Sequence, residues 1–438
     1  MIKMMRKMPV ISSDKELNDR IFMISERFHN VFLPVFFDND EDALEFLRYE
    51  LPEISVINFS DRRIDTRSIL NTIKSDPWLH YGGIVAVHRK REEQEISREV
   101  PNSNIISMIP RGRFVASFFR VLKIVIENRH ILFQREIQSH LTGTISGSFV
   151  MDNDPFNVRT YSNLVTNFLY NSNYIDADRK ERLHVAIFEM LMNAVEHGNC
   201  DISYDEKTRW LENGGNIIDL IRQKTRDPEI KARRVFFSYR ITPKRSSYTI
   251  RDEGDGFDWR SMMEEDPGEI NLGMHGHGIR MTGHYVENLR YNHSGNEVSF
   301  EMPHQTPEAH TVPGIFQNQE ETIFHDGDTV FTEGEESNYL YYIVSGQLEV
   351  YSSSELVSTL GPEDIFLGEM SFLLNDRRSA TVIARGTVSL FRISKNSFVN
   401  AIKQNPHYGI FLARLLAQRI SRLNTRLASA VQKEAVSV

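Results

Sequence analysis

The sequence predicts a multidomain chain of mixed class: an α/β unit on a doubly wound parallel sheet, an α+β sandwich, and a C-terminal β-roll with helices. Three observations predict it. Up to about residue 140, short apolar runs alternate with amphipathic stretches, the rhythm of parallel strands joined through helices. From about 141 to 305, two long helical patterns precede strand-like runs and Gly-rich loops. After the breaker-rich segment HQTPEAHTVPG, short strands divided by glycines end in a helix from about Ser397. The expected domains are therefore 1–140, 141–305 and 315–438, with 306–314 as linker.

Composition bounds the function. The 438 residues leave room for two to four domains at about 100–200 residues each. With 40% hydrophobic and 25% charged residues, wholesale disorder, collagen and a disulfide scaffold are excluded. A net charge of -9, from 51 basic and 60 acidic residues, argues against general nucleic-acid binding, which needs clustered cations. Cys200 is the one cysteine, so no multi-cysteine metal site can form and a reducing compartment fits. The N-terminal MIKMMRKMPVISSDKE lacks a signal-peptide core, and no apolar run reaches about 18 residues. A cytoplasmic chain with no membrane span is expected.

The elements read in order. PVIS, a helical stretch through Phe28, LPVFF, ALEFLRYEL, ISVINF, GGIVAVH and NIISMI form the first block, and helical periodicity runs from Arg113 to Arg135. The second block opens with LTGTISGS, read as a turn, and the strand-like SFVM. RRVFFSYRIT, SSYTIRD and NEVSFEM read as further strands. Between Cys200 and Arg234 lies a polar, charged insert, read as a surface excursion with a short helix. In the last helix Leu416, Ile420, Leu423 and Leu427 form an apolar stripe. It reads as packing on its own domain, with a homodimer seam as the alternative.

The informative stretch is LHVAIFEMLMNAVEHGN. Leu183, Ile187, Met190, Leu191, Ala194 and Val195 fit one apolar helix face, and Glu189 and Asn193 are four apart on one side. Beside an apolar stripe a carboxylate and an amide need partners. Mg²⁺ bridging phosphates supplies one, because it prefers oxygen ligands. Two polar residues at the edge of an amphipathic helix are the plainer reading of that pair alone. Downstream, YTIRDEGDGFD is a strand followed by Asp252, Gly254 and Gly256. Such glycines let a backbone approach a flat ligand, and a carboxylate there can accept from an adenine amino group. In NLGMHGHGIRMTGHYVENL, Gly273, Gly276 and Gly278 precede a helix, the setting of a phosphate-binding turn.

These three motifs, in this order, resemble the GHKL ATPase superfamily, the Bergerat-type fold shared by gyrase, histidine kinases and anti-sigma-factor serine kinases. The Glu189/Asn193 helix resembles its N box, DEGDGFD its G1 box and GMHGHGI its G2 box, over about residues 145–303. The resemblance implies ATP as ligand and Asn193 as Mg²⁺ ligand. It implies Asp252 as adenine reader, Gly254 and Gly256 as the adenine floor, Gly273, Gly276 and Gly278 in the ATP-binding loop, and Glu189 as general base. NAVEHGN is most similar to the anti-sigma-factor serine-kinase branch. No upstream phosphoacceptor-histidine pattern of a histidine kinase occurs; His184 lies inside the N-box helix. His275, His277 and His284 sit on or after the Gly-rich loop without cysteine or carboxylate partners, so they read as lining the ATP lid rather than holding zinc.

In the third block, LGPEDIFLGEMSFLLNDRRSATVIA carries a Gly-Glu pair before a short helix and, at a fixed distance, Arg-Ser-Ala-Thr-Val. Arg378 can fork onto a cyclic phosphate, Glu369 can accept from a ribose hydroxyl, and the N–H groups of Met370 and Ser371 can face the phosphate. Gly368 opens that helix. This resembles the cyclic-nucleotide-binding domain, over about residues 315–425. Arg377 departs from the proline that many members carry, which loosens the expected turn. Ser379 reads as a phosphate or guanine contact and does not choose between cAMP and cGMP. No helix-turn-helix follows, which argues against DNA binding.

The first block resembles a response-regulator receiver in rhythm alone. Ser12 and Ser13 stand where the acidic pair belongs, Asn58 where the phosphoacceptor aspartate belongs, and Ile109 before Pro110 where the lysine belongs. A pseudo-receiver, acting as a docking or dimerising module, is expected. Together these readings predict a bacterial signalling regulator. It would be an ATP-dependent serine/threonine protein kinase of anti-sigma-factor type, modulated by a cyclic nucleotide and acting on an anti-sigma antagonist. The alternative is a non-catalytic adaptor that sequesters a sigma factor or antagonist.

Overall fold

The structure is a computed structural model that describes residues 6–28, 31–76, 79, 82–100, 103–128, 145–172, 174–242, 244–257, 259, 277–304, 320–364, 366–404, 406, 408–409, 412–413 and 416–417. In the first unit, β1 (Arg6–Ile11), β2 (Phe32–Phe37), β3 (Ile54–Asn58), β4 (Gly83–His88) and β5 (Ile105–Pro110) pair in parallel, in the order β2-β1-β3-β4-β5. Every residue of β3 and β4 is buried, as strands covered on both faces must be. The helices are α1 (Lys15–Ser25), α2 (Asp40–Glu50), α3 (Thr66–Ser75), α4 (Glu93–Glu99) and α5 (Phe114–Glu127). α1 and α5 share one apolar cluster; α2 and α3 pack in another, on the opposite face. Asp14, Asn39 and Asp65 cap the first three helices, each accepting a backbone N–H of the first turn. The periodicity predicted beyond Glu127, to Arg135, lies outside the described residues.

The second unit is a five-stranded antiparallel sheet under helices. Its strands are β6 (Ile145–Met151), β7 (Val235–Ile241), β8 (Arg245–Arg251), β9 (Glu287–Tyr291) and β10 (Glu297–Pro303), in the order β6-β7-β8-β10-β9. Val235, Phe237, Tyr239 and Ile241 alternate inward with exposed or half-buried neighbours, the period of two that a one-faced sheet needs. ISGS, read as a turn, is the start of β6 instead. Gly147 pairs with Tyr239, whose phenol occupies the space where a Cβ on residue 147 would stand. The glycine therefore makes room for a cross-strand aromatic. Over the sheet lie α6 (Pro155–Asn171) and α7 (Ala177–Asn193).

The insert is not a plain surface excursion. It folds as α8 (Tyr204–Glu212), α9 (Ile217–Lys224) and α10 (Pro228–Ala232), and Ile202, Leu220 and Ile221 join the main core. The third unit is a roll of β11 (Glu320–Phe324), β12 (Thr329–Phe331), β13 (Tyr339–Ser352), β14 (Glu355–Leu360), β15 (Phe366–Leu367) and β16 (Thr381–Ser394). The long strands β13 and β16 pair antiparallel as its spine. Helix α11 (His277–Tyr285) belongs to the second unit, α12 (Glu369–Leu374) and α13 (Lys395–Gln404) to the third. Leu416 packs against the roll's own helical cluster; Ile420, Leu423 and Leu427 lie outside the described residues. Among the described residues no helix is long and apolar enough to cross a membrane.

The first two units share one continuous core that runs from α1 and α5 into β6, α6 and α7. The join is polar as well as apolar. Strand β5 is an edge, and its pairing slips between Ile84–Ile105 and Val85–Ser107; such a bulge re-aims backbone groups. Helix α6 satisfies two successive carbonyls there: Asn163 Nδ2 donates to Ile106 O (3.1 Å) and Asn167 Nδ2 to Ile105 O (2.9 Å). Asn167 is buried, so its loss strands a carbonyl. Asn167→Ala is expected to cost about 1–3 kcal/mol, read as a lower melting temperature of the full chain with a single transition for both units.

Candidate nucleotide-binding sites

Helix α7 carries Glu189 and Asn193, then widens into a π-turn, Ala194–Asn199. Such turns re-phase the side chains that follow them. Here the change brings Gly198 directly against Asp252: a Cβ at residue 198 would collide with that carboxylate. Gly254 faces the other way, and a Cβ there would strike the Gly198 carbonyl. Gly256 has φ +83 and backs onto the Ser294 carbonyl, so a side chain is excluded by both backbone angle and space. Asn199, fully buried, accepts from the Glu253 N–H (2.9 Å) and donates to Asn153 Oδ1 (2.7 Å), which ties the turn to the loop after β8.

Asp252 directly follows β8, at 9% exposure, and accepts from the Gly254 N–H at 2.9 Å. Burial pushes its pKa up to about 6, against the opposing pull of that N–H and of Arg233. It lies on the wall of a cavity whose apolar sides are Met190, Ile250, Ile279 and Val298. Glu297 also lines it; apolar sides with the buried Asp252 carboxylate are matched to a flat heteroaromatic ring bearing an amino group. Gly256 lines it. Gly254 does not; it packs behind Asp252. Tyr204, from the insert, and His197 also line it, with ring centroids 4.2 Å apart. Tyr291 closes another side.

Asn193 opens onto the same cavity. Its side chain, like that of Glu189, has no hydrogen-bond partner among the described residues, and both are half-buried. Glu189 Oε2 lies 2.8 Å from where a Cβ on Gly278 would stand, with Asn193 Nδ2 at 3.9 Å. The carboxylate and amide therefore meet the start of α11. Oxygen donors without internal partners are the set a hard divalent cation such as Mg²⁺ takes. Burial raises the Glu189 pKa, Lys207 opposes this, and Glu196 adds to it. Gly273, Gly276 and His275 fall outside the described residues, and no position is given for the His277 side chain. His284 is exposed, and among the described residues no cluster of three or more His, Cys, Asp or Glu could hold a metal ion.

In the roll, Gly368 adopts φ +76 ahead of α12, and a Cβ there would collide with the Arg378 guanidinium. Arg378 is 4% exposed. It donates to Tyr339 O (2.6 Å), Gly368 O (3.1 Å) and Ser371 Oγ (3.2 Å), and its guanidinium carbon stands 4.2 Å from the Phe331 ring centroid. Its Nε has no partner. Ser371 also bonds Ser337 (3.0 Å). Glu369 is buried, whereas Met370 and Ser379 are exposed. Arg377, in place of proline, is hydrogen-bonded within the turn. Its N–H donates to Asp376 Oδ1 (2.7 Å) and its guanidinium to Gly334 O (2.9 Å).

Comparison with known proteins now bears on both sites. Residues 151–302 match the family description of the histidine kinase-like ATPase domain. Residues 321–405 match that of the cyclic nucleotide-binding domain. The chain carries both domains, in that order. Among curated proteins it is similar to a CRP-like cAMP-activated global transcriptional regulator of Mycobacterium tuberculosis, 27% identical over 29% of this chain and 58% of the relative. It is also similar to a cGMP-dependent protein kinase of Plasmodium berghei, 34% identical over 19% of this chain and 10% of that one. The chain thus spans at most about half or a little more of the relatives' lengths. Among solved structures, a Thermus thermophilus catabolite activator protein matches 26% of this chain and 56% of its own, at 24% identity and TM-score 0.25.

Four pocket residues of the ATPase domain escaped the sequence reading: His197, Tyr204, Tyr291 and, behind them, Asn199. His197 and Asn199 had a local signal, as letters of NAVEHGN.

The Asp252 carboxylate sets a pH dependence for the ATPase domain. A ring amino group would bind the ionised form, so affinity for such a ring is expected to be complete above pH 7 and to fall as pH drops through about 6. Titration with adenosine, which has no phosphate to protonate, is expected to be about tenfold weaker at pH 5 than at pH 7. Asp252→Asn is expected to bind weakly at both values and, freed of a buried charge, to melt higher than wild type without ligand.

Proposed function

We propose that this chain is an ATP-dependent serine/threonine protein kinase of the anti-sigma-factor type, modulated by a cyclic nucleotide, cAMP or cGMP. The observation that carries the proposal is the Glu189 carboxylate, unpaired by hydrogen bond, at the glycine start of α11 and one turn from Asn193, which lines the same cavity as Asp252. Asp252 accepts from the adenine amino group and fixes the purine. The apolar walls exclude water. The Asn193 side-chain oxygen would hold Mg²⁺, which when bound would neutralise phosphate charge. Glu189 accepts the proton of a substrate serine or threonine hydroxyl; that oxygen bonds to the γ-phosphorus, the bond to the β–γ bridging oxygen breaks, and ADP leaves. The protein substrate in this reading is a small anti-sigma-antagonist-like protein.

The first unit serves as a pseudo-receiver. Where a working receiver would hold its acidic pocket, Asn58 Nδ2 donates to Ser12 Oγ (3.1 Å) and Ser13 is bonded twice to Asp61. Arg111 pairs with Asp14. That pocket is filled by its own hydrogen bonds. The cyclic nucleotide-binding domain meets this unit: Leu51 packs against its helical cluster, and the Tyr408 hydroxyl lies 3.5 Å from Asp76. Since the first unit shares its core with the ATPase domain, a ligand-driven shift of the helices after the roll would reach the kinase through it. Coupling of this kind is typically about 1–3 kcal/mol, a modulation rather than an absolute switch.

Radiolabel transfer from ATP to a candidate antagonist tests the activity. Glu189→Gln is expected to lower transfer by about 10²–10⁴-fold while ATP binding stays within a few-fold. Transfer by wild type should fall on acidification through a value above the ordinary glutamate range, since burial raises Glu189. No transfer by wild type, with ATP bound, would leave the adaptor reading. Arg378→Ala is expected to weaken cyclic-nucleotide binding by about tenfold or more, and also to lower the melting temperature, because Arg378 holds the Gly368 and Tyr339 carbonyls.

A further inference from the structure

The insert brings a cation to the turn that follows Asn193. Lys207 lies on α8, three residues after the cavity-lining Tyr204 and so on the same side of that helix. Its Nζ is 2.5 Å from Glu196 Oε2, a carboxylate whose side chain is only 4% exposed, while the lysine side chain keeps 32% exposure. Its charge also acts on Glu189 and is the one cation among the described residues that does so. Glu189 and Glu196 flank Asn193 on either side along the helix, so an ammonium that bonds one and acts on the other stands beside the turn that carries Asn193.

The insert is built to hold it there. Ser203 caps α8 by accepting from the Glu206 N–H at 3.2 Å. His197 Nδ1 contacts the Ile202 carbonyl at 2.6 Å. Lys224 of α9 bridges to Glu206 at 2.9 Å, and Leu220 and Ile221 are buried beneath. A lysine tethered this firmly to a buried carboxylate, yet open on one side, can move its point charge over a short distance.

We propose that Lys207 is a phosphate-binding residue of the ATP site, which leaves Glu196 to meet the terminal phosphate of a nucleoside triphosphate. This rests on the ATP-site reading above. Glu196 is the resting partner that keeps the ammonium in place when the site is empty. The exchange makes the site prefer the triphosphate over the diphosphate and over adenosine, because only the triphosphate reaches the lysine.

Calorimetric titration of the full chain with ATP, ADP and adenosine, each with Mg²⁺, tests it. Lys207→Ala is expected to weaken ATP about ten- to a hundredfold while adenosine binds as in wild type, and Lys207→Arg is expected to restore most of the loss. The double variant Glu196→Gln/Lys207→Ala removes the buried carboxylate left without its partner and is expected to show the same selective loss of ATP. Recovery of wild-type ATP affinity in that double variant would overturn the proposal, since Lys207 would then serve only to neutralise Glu196. Equal losses for ATP and adenosine in both variants would also overturn it. Wild type that binds neither adenosine nor ATP would overturn the nucleotide-site reading itself, and this proposal with it.

Discussion

A carboxylate buried at the end of a strand organises the ATPase domain. Asp252 is nearly sealed from water, and an ionised group there is costly unless its neighbours donate to it. The donors are backbone N–H groups, which can come this close only where side chains are missing. Gly198 and Gly254 supply that absence from two different motifs, each excluded from carrying a Cβ by the other's neighbourhood. The π-turn after Asn193 and the buried Asn199 bridge then follow as the means of bringing a helix end and a loop to van der Waals contact around one charged group.

The roll of the cyclic nucleotide-binding domain solves the mirror-image problem with a cation. Arg378 is buried between Phe331 and Tyr341 and satisfied by carbonyls that the fold turns toward it. Gly368 again yields the space. In this conformation two nitrogens of the guanidinium donate to the protein itself while Nε has no partner.

Between these two sites, the first unit acts as a strut. Its edge strand is sealed by Asn163 and Asn167 from the ATPase side, and its opposite layer, at Leu51 and Asp76, touches the cyclic-nucleotide side. At the ends of β1 and β3, Asn58 bonds Ser12, Ser13 donates twice to the Asp61 carboxylate, and Arg111 pairs with Asp14.

What the sequence alone determined is whatever depends on near neighbours in the chain. The buried runs ISVIN and GIVAVH, the Glu189–Asn193 spacing and the Gly368 to Arg378 cassette are of this kind, because helix and strand periods convert short spacings into shared faces. ISGS misled for a physical reason: its glycine matches a strand partner, Tyr239, more than ninety residues away in sequence. Lys207 and Tyr204 looked like two polar residues of a solvated insert. Their positions arise from packing of Leu220 and Ile221, which seats that insert against the turn carrying Glu196. Gly198 was legible as a motif letter, but why it must be glycine was decided only by the position of Asp252. Chemistry encoded by local spacing was readable; which surfaces meet, and therefore which charges pair, was left to the tertiary structure, since long-range contacts have no period in the chain.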